Sequence, residues 1–459
     1  MTTAPTASTV AQLRSDLAGR VIAPGDPDYD GARAVFYGDI DRRPAAIARP
    51  GDASEVARVV SVARESGVEL AVRGGGHSAA GHGVCDGGIV LDLAAMRALE
   101  IDPRSGTAWA QAGLTAGEYT AAAAEHGLAT GFGDTGSVGI GGLTLGGGVG
   151  FLSRAHGLTI DDLLAAEIVT ADGTVVEVDA DSEPDLFWAI RGGGGNFGVA
   201  TRFKYRLHQL EGVFGGALIL PASPEIVDSI VTAAEGAPDE LSVIANVMPA
   251  PPMPFVPAEH HGELVVMALV CFAGSAEEGG RALEPLRSLA EPIADTVRPI
   301  AYPELFPPGP EGFRPTVVGR TMFVDRFGAA DAAAAVEALR TSDAPMRAVQ
   351  LRVLGGAIGR VPGDATAYAH RDAAIMVNVA SFYAGSDDLP AREAWVDELV
   401  AALRKDDDGA YVNFLADEGP ERVRAAYPSR TWERLAEIKA RYDPMNLFRL
   451  NQNIPPAAT

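Results

Sequence analysis

The sequence of 459 residues has only two cysteines and far fewer basic than acidic residues. Cys85 and Cys271 are too few for a disulfide framework or a multi-cysteine metal site. The 37 basic and 61 acidic residues give a formal net charge of −24, which repels phosphate backbones and anionic membrane surfaces. We therefore expect neither a nucleic acid nor a membrane as a partner.

Long apolar runs are also missing. The longest one, Leu264 to Ala273, has the length of a buried strand and is too short to span a membrane. The N-terminal residues from Met1 to Leu17 show neither the basic start nor the apolar segment of a signal peptide. The sequence thus predicts a cytoplasmic protein, and its length predicts two or three domains.

Glycine, in contrast, is abundant, with 53 residues, some of which form three clusters. These clusters, Gly74 to Gly76, Gly139 to Gly150 and Gly192 to Gly198, all lie in the first half of the chain. One glycine loop is more often a flexible turn, but three such loops favour a cradle for a diphosphate cofactor. The cradle is not a Rossmann fingerprint, because Thr144 stands at its third glycine position, nor a Walker loop, because no Gly-Lys pair occurs.

Helix and strand patterns alternate around the glycine clusters. Asp52 to Glu55 and Thr115 to Glu118 are typical of capping boxes at helix starts. Leu70 to Val72 is a predicted strand that leads into the first cluster, and Asp172-Gly173 is the predicted turn of a hairpin.

After about Leu207 the clusters stop and the pattern changes. Helices are predicted near residues 224–234, 276–289, 329–340 and 392–404, and strands near residues 263–272, 347–354 and 374–382. This arrangement predicts an antiparallel sheet with helices on one face.

Five motifs follow one another along the chain. They are Val72-Arg-Gly-Gly-Gly-His-Ser78, Asp86-Gly-Gly-Ile-Val-Leu-Asp-Leu93, Val138-Gly-Ile-Gly-Gly142 with three more glycines from Gly146, Phe187-Trp-Ala-Ile-Arg-Gly-Gly-Gly-Gly-Asn-Phe-Gly198 and Asp443-Pro-Met-Asn-Leu-Phe-Arg-Leu-Asn-Gln-Asn453. In this order they resemble the FAD-linked oxidases of the berberine bridge enzyme type, and the resemblance spans essentially the whole chain.

The resemblance implies an α+β fold with a PCMH-type FAD-binding domain of two subdomains. A substrate domain, built as an antiparallel sheet with helices, is inserted into it. On this basis residues 1–206 form the first segment of the FAD-binding domain, residues 207–409 form the substrate-binding domain, and residues 410–459 return to the FAD-binding domain.

His77 is the implied point of cofactor attachment. In the family this histidine is bonded to the 8α carbon of the flavin, and a neutral imidazole is a competent nucleophile toward that carbon. Many members add a second bond from a cysteine, but Thr135 occupies that position here, so we expect FAD to be covalent through His77 only. The resemblance places further cofactor-binding residues at Arg73, Gly74, Gly75, Gly76, Ser78, Gly81, His82, Thr135, Ser137, Val138, Gly141, Gly142, Gly147, Gly148, Val199, Asn451 and Asn453.

The usual catalytic base of the family is replaced. The family presents a second tyrosine where this chain has Phe414, which cannot take a proton, and Gln350 replaces a family glutamate. Tyr411, Tyr383 and His370 are then the remaining polar candidates. For each of these three residues, the alternative to a catalytic role is a structural one.

Val138 aligns with the position that governs access of dioxygen in the family, and a valine there resembles the members that react readily with O2. We therefore count Val138, with Tyr411, Tyr383 and Gln350, among the candidate catalytic residues.

With these replacements, the chain resembles the bacterial members of the family that bind the flavin through one covalent bond. The main hypothesis is an oxidase, monomeric or homodimeric, of an alcohol, an amine or a polyketide-like natural product in secondary metabolism or catabolism. The flavin would take a hydride from this small molecule and O2 would reoxidise the flavin, releasing H2O2. The alternatives are an oxygenase that works through a flavin N5-oxide, a dehydrogenase, and a flavin-bearing carrier with little turnover.

Overall fold

The computed structural model describes residues 7–18, 20–310, 312–405 and 409–458; residues 1–6 and 459, at the outer ends of the predicted FAD-binding segments, lie outside this description. The helices of the described residues are α1 (Ala7–Asp16), α2 (Tyr29–Arg33), α3 (Ala53–Ser66), α4 (Ala116–Ala124), α5 (Ile140–Gly146), α6 (Ser153–His156), α7 (Pro184–Ala189), α8 (Pro224–Glu235), α9 (Ala276–Arg287), α10 (Ala329–Thr341), α11 (Ala357–Arg360), α12 (Leu389–Leu403), α13 (Pro420–Ala425) and α14 (Ser429–Tyr442). None of these described helices is long and apolar enough to cross a membrane.

The strands of the described residues are β1 (Val21–Ile22), β2 (Ala46–Ala48), β3 (Leu70–Arg73), β4 (Ile89–Asp92), β5 (Leu99–Asp102), β6 (Thr107–Gln111), β7 (Leu128–Ala129), β8 (Leu163–Val169), β9 (Val175–Asp179), β10 (Val199–Arg206), β11 (His208–Gln209), β12 (Val213–Pro221), β13 (Leu241–Pro249), β14 (Leu264–Phe272), β15 (Ala294–Asp295), β16 (Arg298–Ile300), β17 (Val317–Val324), β18 (Arg347–Val353) and β19 (Ile375–Phe382).

A small mixed sheet opens the chain, with strand order β1-β2-β4-β3 and parallel pairing of β2, β4 and β3. Helix α3 connects β2 with β3. It begins at Asp52, whose carboxylate accepts the backbone N–H of Glu55, and ends at Gly67 with a φ of 66°. The capping box predicted for Asp52 to Glu55 is half formed, because the carboxylate of Glu55 accepts the backbone N–H of Gly51 instead of that of Asp52.

A second, antiparallel sheet has the strand order β5-β6-β10-β8-β9. Strands β8 and β9 form the predicted hairpin, and the N–H of Thr174 donates to the carboxylate of Asp172 in its turn at 3.0 Å. Helix α4 starts at the predicted capping box, in which Thr115 and Glu118 each accept the other's backbone N–H. Both local predictions are confirmed.

The largest sheet is antiparallel and follows the order β15-β12-β14-β13-β18-β19-β17, with β16 paired to β12. Helices α8, α9, α10 and α12 pack against this sheet, and their apolar side chains form one buried cluster with it. The predicted antiparallel sheet with helices is therefore confirmed. Because side chains alternate along a strand, the residues between the buried ones point to the opposite face.

Strand β18 shows this alternation clearly. Val349, Leu351 and Val353 belong to the cluster under the helices, while Gln350 and Arg352 line a cavity on the other face. Strand β18 thus presents two polar side chains toward the first domain.

The C-terminal segment returns to the first domain. Its apolar residues between Ala410 and Ile454 share a buried cluster with residues from Leu13 to Leu207. The buried Lys439 of α14 anchors the segment, because its ammonium group donates to Asp443 at 2.6 Å and to the carbonyl of Asn196 at 2.7 Å. A buried ammonium needs such partners to offset its lost hydration.

Candidate active site

A cavity of about 650 Å³ lies between the glycine loops of the first domain and the open face of strands β17 to β19. It brings together most of the site residues that the sequence predicts. The predicted residues that line it are Arg73, Gly74, Gly75, Gly76, His77, Ser78, His82, Thr135, Val138, Gly141, Gly142, Val199, Gln350, Tyr411 and Asn451.

Two of the glycine clusters touch each other backbone to backbone. A Cβ atom on Gly75 would lie 2.3 Å from the backbone nitrogen of Gly139, and one on Gly139 would lie 2.2 Å from that of Gly75. At Gly142 and Gly195, in contrast, an added Cβ would meet no described atom within 4 Å, although both residues line the cavity. The glycines therefore serve two purposes: some let the loops meet, and others leave the cavity open.

The His77 ring forms part of the cavity wall at this junction. It stacks on Phe36, with ring centroids 4.1 Å apart and planes 21° from parallel. Burial lowers the pKa of His77 to about 4, and a hydrogen bond with the backbone of Ser137 opposes the shift. Near neutral pH the ring is therefore uncharged, and one of its nitrogens keeps a lone pair.

Neither of the two cysteines lines the cavity. Cys85 is buried and its thiol donates to the carbonyl of Ile89 at 3.7 Å, and Cys271 is buried within β14. Thr135 does line the cavity, and its hydroxyl donates to Asp134 at 3.0 Å.

Six predicted residues do not line the cavity. Three of them support it: Ser137 holds the His77 ring through its backbone, the carbonyl of Gly81 accepts from Arg42 at 2.8 Å, and Gly147 follows helix α5 with a φ of 134°. Gly148, Tyr383 and Asn453 are the other three.

Tyr383, one of the candidate catalytic residues, lies outside the cavity wall. Its pKa is raised by burial and by a hydrogen bond with Asp39, and its carbonyl accepts from the hydroxyl of Thr316. Nor does His370 line the cavity; its ring stacks on Phe323 at 4.8 Å and pairs with the carbonyl of Ala426.

The end of the chain supplies one side of the cavity. Asn196, from the third glycine cluster, donates to the carbonyl of Gln452 at 3.1 Å and accepts the backbone N–H of Ile454 at 2.9 Å. These bonds set the position of Asn451, which lines the cavity with its Oδ1 buried and unpaired among the described residues. The Oδ1 of Asn453 is likewise buried and unpaired in the described part of the chain, outside the cavity wall.

The hydroxyl of Tyr411 is surrounded by donors. Its oxygen accepts the backbone N–H of Gly148 at 2.9 Å and of Val149 at 3.3 Å, and the side-chain amide of Asn413 at 3.0 Å. Burial raises the pKa of Tyr411, while these three donors act in the opposite direction. The phenol thus joins the loop that follows helix α5 to the C-terminal segment.

Gln350 belongs to a directed chain of polar side chains. Its amide donates to Asn246 at 2.8 Å, and its oxygen accepts from Nε of Arg352 at 2.9 Å. Nη2 of Arg352 then donates to Asp134 of the first domain at 2.5 Å. Because a guanidinium has only donors, the orientation of the Gln350 amide follows from this order.

Arg352 and Asp134 were not among the predicted site residues. Arg352 lies two positions beyond Gln350 on β18 and therefore on the same face of the sheet. That spacing is the signal in the sequence that could have pointed to it.

Comparisons with known proteins agree with this architecture. A family model described as "FAD binding domain" matches residues 44–179, and one described as "Berberine and berberine like" matches residues 410–455. The chain is 32% identical to (R)-6-hydroxynicotine oxidase of Paenarthrobacter nicotinovorans, over 95% of this chain and 97% of that protein. It is 29% identical to xylooligosaccharide oxidase of Thermothelomyces thermophilus, over 95% and 92% respectively.

A solved structure agrees with the sequence comparison. A crystal structure of 6-hydroxy-D-nicotine oxidase from Arthrobacter nicotinovorans superimposes with a TM-score of 0.84 at 30% identity, covering 95% of this chain and 98% of that one. The chain belongs to the berberine bridge enzyme-like family of FAD-linked oxidoreductases, and it is an FAD-dependent oxidoreductase.

Proposed function

We propose that this enzyme is an oxidase of a small organic molecule that carries FAD covalently on His77 alone. The observation that carries the proposal is the position of the His77 ring in the cavity wall, where it stacks on Phe36 and burial lowers its pKa. The absence of both cysteines from that wall supports a single attachment.

The residues of the cavity fit FAD. The backbone N–H groups of the glycine loops suit a diphosphate, and Gly142 and Gly195 leave space that a side chain would otherwise fill. The unpaired Oδ1 of Asn451 is a buried acceptor for a ligand N–H. His77 would hold the isoalloxazine ring through the 8α carbon.

Bound FAD would supply a two-electron acceptor for a substrate C–H bond next to an alcohol or amine, with O2 as the final oxidant and H2O2 as its product. The sheet wall would orient the substrate through Gln350 and Arg352. Val138 would leave a path for O2, since a valine is smaller than the isoleucine or leucine that could stand there. Tyr411 would position the loop after helix α5, because its oxygen is already engaged by three donors.

Acid denaturation of the purified protein tests the attachment. Flavin that stays with the precipitated polypeptide supports the proposal, and free flavin in the supernatant contradicts it. The variant His77→Ala should release its flavin under acid. His82→Ala is the matched control, because His82 lines the same cavity and burial lowers its pKa to about 4 as well; it should keep its flavin.

The oxidase reaction needs a separate assay. Alcohols, amines and phenolic natural-product analogues are screened for release of H2O2 in air, with His77→Ala as the low-activity control. Flavin that is reduced by a substrate but reoxidises slowly in air would favour a dehydrogenase instead.

A further inference from the structure

Arg352 is buried in the cavity wall with part of its guanidinium unpaired. Only 4% of the surface of Arg352 is exposed, yet Arg352 lines the cavity. Nε is bonded to Gln350 and Nη2 to Asp134, while Nη1 is buried without any hydrogen-bond partner among the described residues. An unsatisfied donor on a charged group is costly to bury, so its persistence points to a missing acceptor.

The guanidinium is also held in a fixed orientation. Gln350 and Asp134 bind it from two sides, and its carbon lies 5.1 Å from the centre of the Phe414 ring. A fork held in this way loses little entropy when an oxygen binds its remaining nitrogen.

The surroundings of Arg352 are apolar on the substrate side. Phe414 lies beside the guanidinium, and Ala380, Phe382 and Val317 line the same cavity farther along the sheet. These side chains suit a flat or apolar molecule, and a charge-assisted hydrogen bond inside such a wall is stronger than one in water. The net charge of −24 repels anions at long range, so binding of an anionic substrate here requires a local cationic group such as Arg352.

We propose that Arg352 is the specificity-determining residue of the enzyme and that its Nη1 binds an ionised oxygen, a carboxylate or a phenolate, on an aromatic or apolar substrate. This inference rests on the proposed function, because it names the substrate class of the same cavity. Asp134 and Gln350 are positioning residues that hold the guanidinium.

Binding to the flavin-loaded enzyme tests the proposal without turnover. Benzoate, 4-nitrophenolate and the neutral analogue benzamide are titrated by calorimetry and by the change in flavin absorption. We expect both anions to bind the unmodified enzyme more tightly than benzamide. Arg352→Met should weaken binding of the anions by about 10- to 100-fold and leave benzamide unchanged.

Two further variants keep the test valid if Arg352→Met does not fold. Arg352→Lys keeps the charge but loses the fork, and should lose part of the anion affinity. Asp134→Asn keeps an acceptor oxygen for Nη2 but removes the competing negative charge, and should strengthen anion binding. Arg320→Met is the matched control: Arg320 lies on β17, pairs with Asp397 at 3.1 Å and does not line the cavity, so anion affinity should not change.

Three results would overturn the proposal. One is equal affinity of the unmodified enzyme for benzoate and benzamide, and another is unchanged anion affinity in Arg352→Met. The third is a shift of the flavin absorption or potential in Arg352→Met with anion binding intact, which would place Nη1 against the cofactor. Flavin content is measured for every sample, so that loss of the cofactor is distinguished from loss of anion recognition; a preparation without bound flavin would count against the proposed function alone.

Discussion

His77 stacks on Phe36 at a centroid distance of 4.1 Å, and the pair forms part of the wall in which the cofactor would be attached. Stacking on one face fixes the plane of the imidazole, and the hydrogen bond with the Ser137 backbone fixes its rotation. In the proposed attachment, the reacting nitrogen of His77 would thus be oriented before the flavin arrives.

The rate of flavin attachment should depend on the protonation of His77. Because burial lowers its pKa to about 4, the ring is neutral through the range from pH 6 to pH 8, and attachment of added FAD to apoprotein should be nearly constant there. The rate should fall as the pH drops through about 4, where the ring gains a proton and loses its lone pair. Fluorescence of acid-precipitated protein at timed intervals measures this rate. A steep fall between pH 7 and pH 6 would contradict a lowered pKa.

Gly75 and Gly142 should respond differently to alanine. A methyl group on Gly75 would overlap the backbone of Gly139, so Gly75→Ala should destabilise the apoprotein by about 1–3 kcal/mol. Gly142→Ala meets no described atom within 4 Å and should not destabilise the apoprotein, but its methyl group enters the cavity and should lower the FAD content. Thermal unfolding of the apoproteins, with the flavin absorption of the loaded proteins, separates the two effects.

Tyr411→Phe should destabilise the protein by about 1–3 kcal/mol, because three buried donors lose their common acceptor. Tyr368→Phe is the control: the hydroxyl of Tyr368 is buried without a hydrogen-bond partner in the described part of the chain, and its removal should be neutral or stabilising. Denaturant unfolding of both variants measures the difference. Equal stability of the two variants would contradict the role given to Tyr411.

A cysteine at position 135 should provide a second attachment point. Thr135 lines the cavity and stands where many relatives carry the second flavin-linked residue. In the double variant with His77→Ala and Thr135→Cys, some flavin should therefore stay with the acid-denatured polypeptide, whereas His77→Ala alone should retain none. Mass spectrometry of the flavin peptide locates the bond.

Enlarging Val138 should slow the reaction with O2. Val138 lines the cavity, and its carbonyl accepts the N–H of Ala116 at 2.8 Å, which fixes the loop. Val138→Ile adds one methylene to this site, so photoreduced enzyme should reoxidise more slowly in air while the rate of flavin reduction by substrate stays the same. Stopped-flow absorption follows both steps, and unchanged reoxidation would show that O2 enters elsewhere.

Local sequence signals predicted the helix starts and the hairpin turn, because these features depend on bonds between residues close together in the sequence. The side chains of Asp52 and Thr115 cap helices within three residues of themselves, and Asp172 does the same for the turn of a hairpin. Strand β12 is not among the predicted strands, and it contains Gly215 and Gly216. In the structure a Cβ on Gly216 would lie 2.7 Å from the carbonyl of Thr296, so the glycine serves close packing of a neighbouring segment.

The same distinction holds for the site. The glycine clusters and His77 could be predicted because their chemistry is contained in short motifs. The contact between Arg352 and Asp134 joins residues 218 positions apart, and no local pattern encodes it. Tyr383 is a polar candidate in the sequence, but its hydroxyl pairs with Asp39 and it does not line the cavity.

The bonds of Asn196 with Gln452 and Ile454 bridge 256 and 258 positions of the chain. During synthesis, the ribosome therefore releases the glycine loops and His77 long before it releases the residues that complete the cavity. A nascent chain would present an open, half-built cradle, and cofactor loading would have to wait until the final segment has emerged and docked. On this argument, the emergence of the C-terminal segment would set the earliest time at which the enzyme can mature.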